Sequence, residues 1–282
     1  MQLDFAGVLP LADGRYLARD EAGESVLVMK TLGAPAPARR RRRRPRDTES
    51  VEEPASLPLT RITAIRAYAP SEDETEVARW LEEALASEEA TDLAVAEGLA
   101  LLNRALHAQA VAAADPLGAE LAPEQAVAVR LGYGNGDQVA AGEFAKAREV
   151  DVRATGFSRR RQREEDLRPQ ERMAAVLRGR ERLDACEPLL LRARADLDAG
   201  RDREAALQLR VGHEALLAEL DGAISEPGHA EDMAMLRERR GEAGEAANEA
   251  LRGELSEGTA RSVTELLERC ERVLRRRRVL RG

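Results

Sequence analysis

Residues 34–46 read APAPARRRRRRPR, and this stretch divides the chain: a short β-patterned segment precedes it and a largely helical remainder follows. A block of like charges repels itself and resists burial, so residues 34–56 are expected to form an exposed Arg/Pro-rich linker. The 282-residue chain has a formal net charge of −8, so the rest of it carries −15 once the seven arginines of this tract are set aside.

Upstream, residues 2–9, 15–19 and 25–32 are β-friendly runs separated by Asp13-Gly14 and by Glu21-Ala22-Gly23-Glu24. Asp-Gly supplies the positive φ that tight hairpins need, so a three-stranded meander is expected. Three strands alone are barely stable. Residues 59–68 and 125–133 alternate apolar with polar side chains and are the expected additional strands of a mostly antiparallel sheet with one covered face. The cover is the helical stretch between them. Ser71 and Glu74 have capping-box spacing; Val77, Trp80, Leu81, Ala84 and Leu85 then share a stripe that resumes at Val95, Leu99, Leu102 and Leu106. Periodicity leaves open whether this is one helix or two. The expected architecture is α+β: a domain over residues 1–155, a charged connector at 157–168 (FSRRRQREEDLR), and an antiparallel four-helix bundle over 169–282.

In that bundle, Met173, Val176, Leu177, Leu183, Cys186, Leu190 and Leu197 trace the first apolar face. Pro188 should kink or restart it. Gly200 and Asp202 mark a stop and a restart, before a second seam through Ala206, Leu209, Leu216 and Leu220. The third helix, 230–253, carries Ala243, Ala246, Ala247 and Ala250, small enough to let a neighbour approach closely. The fourth, 259–278, turns Val263, Leu266, Leu267, Cys270, Val273 and Leu274 inward.

Composition narrows the class. Hydrophobic residues are 43%, charged 34% and aromatic 2%, as suits a water-soluble helical protein whose core is Leu, Ala and Val. Two lysines against 42 arginines reflect a GC-rich genome. No run of about 18 apolar residues predicts a membrane span, and MQLDFAGVLP does not read as a secretory signal. Cys186 and Cys270 are too few for a disulfide framework or a zinc site and are expected as buried free thiols. A cytoplasmic protein is the expectation.

The sharpest local pattern is residues 127–138, VAVRLGYGNGDQ. A strand runs into Gly132, Gly134 and Gly136, and a helix is expected near Asp137. Strand, glycine turn and helix N-terminus is the order that makes an anion site. The spacing, however, is G-x-G-x-G without a Gly-Lys-Ser/Thr ending, and Asp137 puts a negative charge where a phosphate would lie. The structural reading has the glycines supplying positive φ and Asp137 capping the helix. Asn103 and His107, four apart on the preceding helix, are candidate wall residues. Neither metal ligation nor a hydrolytic triad finds support among three histidines, so no metal and no cofactor is expected.

Arg39, Arg40, Arg41, Arg42, Arg43, Arg44 and Arg46, and the C-terminal Arg275–Arg278 with Arg281, would contact phosphates by counterion release. Aromatic stacking residues are absent around both groups, so nucleic-acid binding is not favoured.

Two resemblances complete the reading. Residues 197–207 (LDAGRDREAAL) resemble the G-x-x-x-E-A junction of tetratricopeptide hairpins, without a 34-residue repeat around them. The stretches LNRALHA (102–108), VRLGYGNGD (129–137) and ARADLDAGRDREAALQLR (193–210) resemble an uncharacterised protein family of high-GC actinobacteria. That resemblance covers most of the length and implies no activity. The reading leans away from an enzyme. It favours an interaction or regulatory protein that engages a protein partner or itself. Anionic-ligand binding at the Gly132–Asp137 loop and weak nucleic-acid binding through the arginine tract are the alternatives.

Overall fold

The computed structural model describes residues 1–20, 23–33, 57–66, 74–151, 170–220 and 227–281. It divides into two compact units, Met1–Gly156 and Phe157–Gly282. The tract at 34–46, the connector at 157–168 and Ser71 lie outside the described residues.

The first unit is a six-stranded antiparallel sheet: β1 (Gln2–Ala6), β2 (Gly14–Asp20), β3 (Gly23–Leu32), β4 (Leu59–Arg66), β5 (Ala126–Tyr133) and β6 (Lys146–Val150), in the order β2-β3-β4-β1-β5-β6. The expected meander is therefore corrected. β2 and β3 do form a hairpin, but β1 lies in the middle of the sheet, between β4 and β5. Period-two alternation explains that place: Leu3 and Phe5 fill one face of β1, and Gln2 and Asp4 lie buried on the other. A strand buried on both faces belongs at the centre. β6 (KAREV) was not anticipated, because four of its five residues are exposed and no apolar alternation marks it.

The helical cover is two helices, α1 (Glu74–Ala84) and α2 (Glu88–Ala113). Ser87 breaks them: its side chain accepts from the Ala90 amide at 3.1 Å, and Glu88 and Glu89 complement the positive end of the helix that follows. Val95, Leu99, Leu102 and Leu106 of α2 pack with Leu3, Phe5, Leu27, Met29, Ile62 and Val129 of the sheet. Among the described residues of α1 only Leu81 is deeply buried; Trp80, expected in the same stripe, is 40% exposed. A short helix, α3 (Gly136–Ala141), joins β5 to β6.

The second unit is helical: α4 (170–177), α5 (Cys186–Asp198), α6 (Asp202–Leu220), α7 (Pro227–Glu238), α8 (Arg240–Arg252) and α9 (Glu257–Arg281). Gly179, at φ +70°, ends α4, and Pro188 lies in the first turn of α5, where its missing N–H costs nothing. Pro188 thus restarts rather than kinks. Met173, Leu177 and Leu183, expected inward, are exposed, and the buried face begins at Cys186. The third expected helix is split at Arg239 into α7 and α8. Cross-helix pairs run in opposite senses: Arg203 to Ala250 and Glu214 to Arg240, Arg194 to Glu271 and Asp184 to Arg277, Asp232 to Arg276 and Arg239 to Glu265. The up-down-up-down bundle is therefore α5, α6, α7–α8 and α9. Its core is Leu190, Leu209, Leu216, Leu236, Leu266 and Leu267 with the alanines of α8, which bury Ala243, Ala246, Ala247 and Ala250 as expected. Among the described residues no helix is long and apolar enough to cross a membrane.

Candidate functional site

A polar constellation lies on the sheet face opposite α2. Asp4 accepts from Arg61 Nε and Nη2, both at 2.8 Å, and from Arg130 Nη1 at 3.0 Å. Arg130 also reaches Gln2 Oε1 at 3.3 Å and pairs with Glu149 at 3.6 Å, while Gln2 Nε2 donates to Thr63 Oγ1 at 3.3 Å. Register makes this network. Asp4 stands opposite Arg61 on β4, and Gln2 stands opposite both Thr63 and Arg130. Burial pushes the Asp4 carboxyl up, but the two guanidiniums outweigh it and hold it below the usual range. Asp4 is thus a fixed anion, not a poised base. The one hint in the sequence was the alternation of Gln2 and Asp4 with Leu3 and Phe5.

The glycine loop is built differently from the expectation. None of Gly132, Gly134 and Gly136 has a positive φ. Gly132 is required by the closeness of β6: a Cβ there would meet Lys146 O at 2.5 Å and Ala147 Cα at 2.9 Å. Gly134 is similarly tight against Ala145 N and Val139, both at 3.0 Å, whereas Gly136 faces open space. Asn135, not Asp137, caps α3, its Oδ1 accepting from the Asp137 amide at 3.1 Å. Asp137 itself pairs with Arg15 at 3.3 Å, with both side chains largely exposed. The three glycines fit the close packing of β5 against β6 and α3.

Asn103 is committed elsewhere. Its Nδ2 donates to Leu121 O and its Oδ1 accepts from Leu121 N, both at 2.9 Å, pinning the segment after α2 back onto that helix. His107 is half-buried one turn further along α2.

In the bundle, charged groups tie helix to helix. Glu219 at the end of α6 accepts from the Ala185 and Cys186 amides at 2.9 and 3.0 Å, capping α5 from another helix. Burial raises its carboxyl, yet these bonds and the Arg277 charge bring it below its ordinary value. Glu249 likewise accepts from Ser256 N at 2.6 Å and Thr259 Oγ1 at 2.7 Å at the start of α9. Arg276 pairs with Asp232, and the buried Arg277 with Asp184, so two of the C-terminal arginines are bundle ties.

His213 is fully buried. Its Nε2–H donates to Leu236 O at 3.0 Å, and burial holds its pKa below the usual histidine value. His229 is buried within α7. Cys186 and Cys270 are buried free thiols, each pushed up to about 12, chiefly by burial. Among the described residues no three His, Cys, Asp or Glu side chains are grouped to hold a metal ion.

Depressions among the described residues of the first unit include two beside α2. One, of about 440 Å³, lies where the α1–α2 break meets β6 and is lined by Ser87, Thr91, Asp92, Arg148 and Glu149. The other, of about 310 Å³, runs between β2 and α2 and is lined by residues 16–19 of β2, Leu27 of β3, and Leu101, Arg104, Ala105 and Ala108 of α2. Among the described residues no strand pairs with the outer edge of β2. No protein-family model, curated protein or solved structure matches this chain.

Proposed function

We propose that this protein works by binding another macromolecule and not by catalysis. The observation that carries the reading is the outer edge of β2, seven residues long, with which no strand pairs among the described residues and which runs beside an apolar groove. A free edge presents unpaired N–H and C=O groups, a ready template for another chain. Support also comes from where the polar side chains go. Asp4, Glu219, Glu249 and His213 are bonded within their own units, so they hold the fold together and do not converge on a cleft.

The test is purification of the full chain from its native cell at low salt, followed by mass measurement in solution. A stable complex or a defined oligomer is expected. Recovery as a monomer with nothing bound at working concentration would overturn the reading. A cytoplasmic setting belongs to the same proposal, and fractionation of the source cell checks it.

A further inference from the structure

We infer, building on the interaction reading, that β2 takes an extended acidic peptide as a seventh strand of the sheet. Three observations on β2 fix the chemistry. Tyr16 and Ala18 face α2, and the groove there is floored by Leu27, Leu101, Ala105 and Ala108. Arg15, Leu17 and Arg19 alternate with them on the opposite face, opposite Val28, Val26 and Glu24 of β3. Both arginines are exposed, and their ion pairs with Asp137 and Glu24 are of the surface kind that exchanges at little cost.

The same two arginines argue against a second copy of this chain as the occupant. Antiparallel self-pairing that uses all seven residues centres on Leu17 and sets Arg15 opposite Arg19 of the other copy, twice. Like charges directly opposite are destabilising. An acidic strand reverses that sign. Carboxylates four residues apart would stand opposite Arg15 and Arg19, and the residues opposite Tyr16 and Ala18 would lie over the groove and need to be apolar. The residue between them, opposite Leu17, stands on the open face and tolerates a β-branched polar side chain. The occupant is therefore an extended peptide of the pattern acidic, apolar, any β-former, apolar, acidic.

The probe is the heptapeptide Ser-Glu-Val-Thr-Val-Glu-Ser, fluorescently labelled and titrated into the full chain, with a control carrying lysine in place of both glutamates. Saturable binding of the acidic peptide is expected, at least tenfold tighter than the lysine control. Amide exchange in Gly14–Asp20 should slow on binding. The double variant Arg15→Glu/Arg19→Glu should reverse the preference in favour of the lysine peptide. No saturable binding up to about 1 mM, the weak limit for a specific contact, would overturn the inference. Binding without protection of residues 14–20, or without charge preference, would overturn it too. If the peptide fails while the intact protein still forms a stable complex, only the strand assignment falls. If both fail, the interaction reading falls with it.

Discussion

Asp4 on β1 and Arg61 on β4 face each other across the sheet and are joined by two hydrogen bonds of 2.8 Å, with the Asp4 side chain only 6% exposed. Arg130 closes on the same carboxylate from β5. One buried anion therefore holds three strands together. Replacing it with alanine takes the shared carboxylate from both guanidiniums and leaves Arg130 only the more exposed Glu149 at 3.6 Å, a change expected to cost about 2–4 kcal/mol. Urea unfolding of Asp4→Ala measures it. Adding Arg61→Leu should recover part of the loss, because the unpaired charge goes too; a double variant no better than the sum of the singles would show that the pair is not coupled.

Two groups should make stability fall with acid in separate windows. His213 is held below the ordinary histidine value by burial. The unfolded chain takes up that proton first, so its contribution is complete above about pH 6.5 and is lost as pH falls through the lower folded value. Asp4 is held below the usual range against its own desolvation by Arg61 and Arg130, so its contribution is present above about pH 4 and is lost as pH falls through its folded value. Midpoints of urea unfolding between pH 4 and 8 should drop in the upper window for the native chain and not for His213→Gln. An equal drop in both proteins would remove His213 as the cause.

Glu219 does for α5 what a serine or aspartate ordinarily does from the adjacent position. Ala185 precedes the helix and has no side-chain cap to offer, so the carboxylate comes from the end of α6. Glu219→Ala should cost about 1 kcal/mol, within the range of lost N-caps. Its effect should appear as faster amide exchange in the first turn of α5 before any global change. Unchanged exchange there would show that the amides are satisfied by water alone.

How much of this was legible follows from what each residue reports about its surroundings. The apolar stripe of α2 and the alanines of α8 were visible because helix periodicity exposes a buried face whatever it packs against. The central place of β1 was hidden, since the meander followed from nearness in sequence while the pairing is with β4 and β5. Gln2 and Asp4 carried the only clue, as polar side chains in a strand whose other face is fully apolar. β6 left no clue: an exposed edge strand needs no alternation. Asn103 was legible as polar and ambiguous as to purpose, because its partner Leu121 offers only backbone.

The glycine loop gives a sharp contrast for mutation. Gly132→Ala would place a methyl 2.5 Å from Lys146 O, so β6 must move, and overpacking of this kind costs about 1–3 kcal/mol. Gly136→Ala meets nothing within 4 Å and keeps an ordinary φ at the start of α3. It should be neutral or stabilising by up to about 1 kcal/mol through the unfolded chain. Thermal melts of the two variants, with and without inorganic phosphate, settle the loop's role. Equal melting of both variants would remove the packing explanation, and a phosphate-dependent rise in the parent lost in Gly136→Ala would restore the anion site.

The arginine tract can be tested by removal, because Leu32 and Leu59 pair at the ends of β3 and β4 and Pro58 accepts from the Gly7 amide at 2.7 Å. The strands therefore meet without residues 34–56. Replacing those residues with Asn-Gly shortens the closing loop about fivefold, which should stabilise the first unit by about 1.5 kcal/mol at about 0.6 kcal/mol per doubling of length. Loss of folding instead would show that the segment packs on the unit. The same protein checks the nucleic-acid alternative. Seven neutralised phosphates on duplex DNA would give a slope of log affinity against log salt near about −6, with no sequence preference. The charge of −15 on the rest of the chain repels the same polyanion, so binding of random duplex is expected to be weak or absent at moderate salt. Tight, salt-steep binding by the parent that disappears in the shortened chain would make the tract a nucleic-acid contact after all.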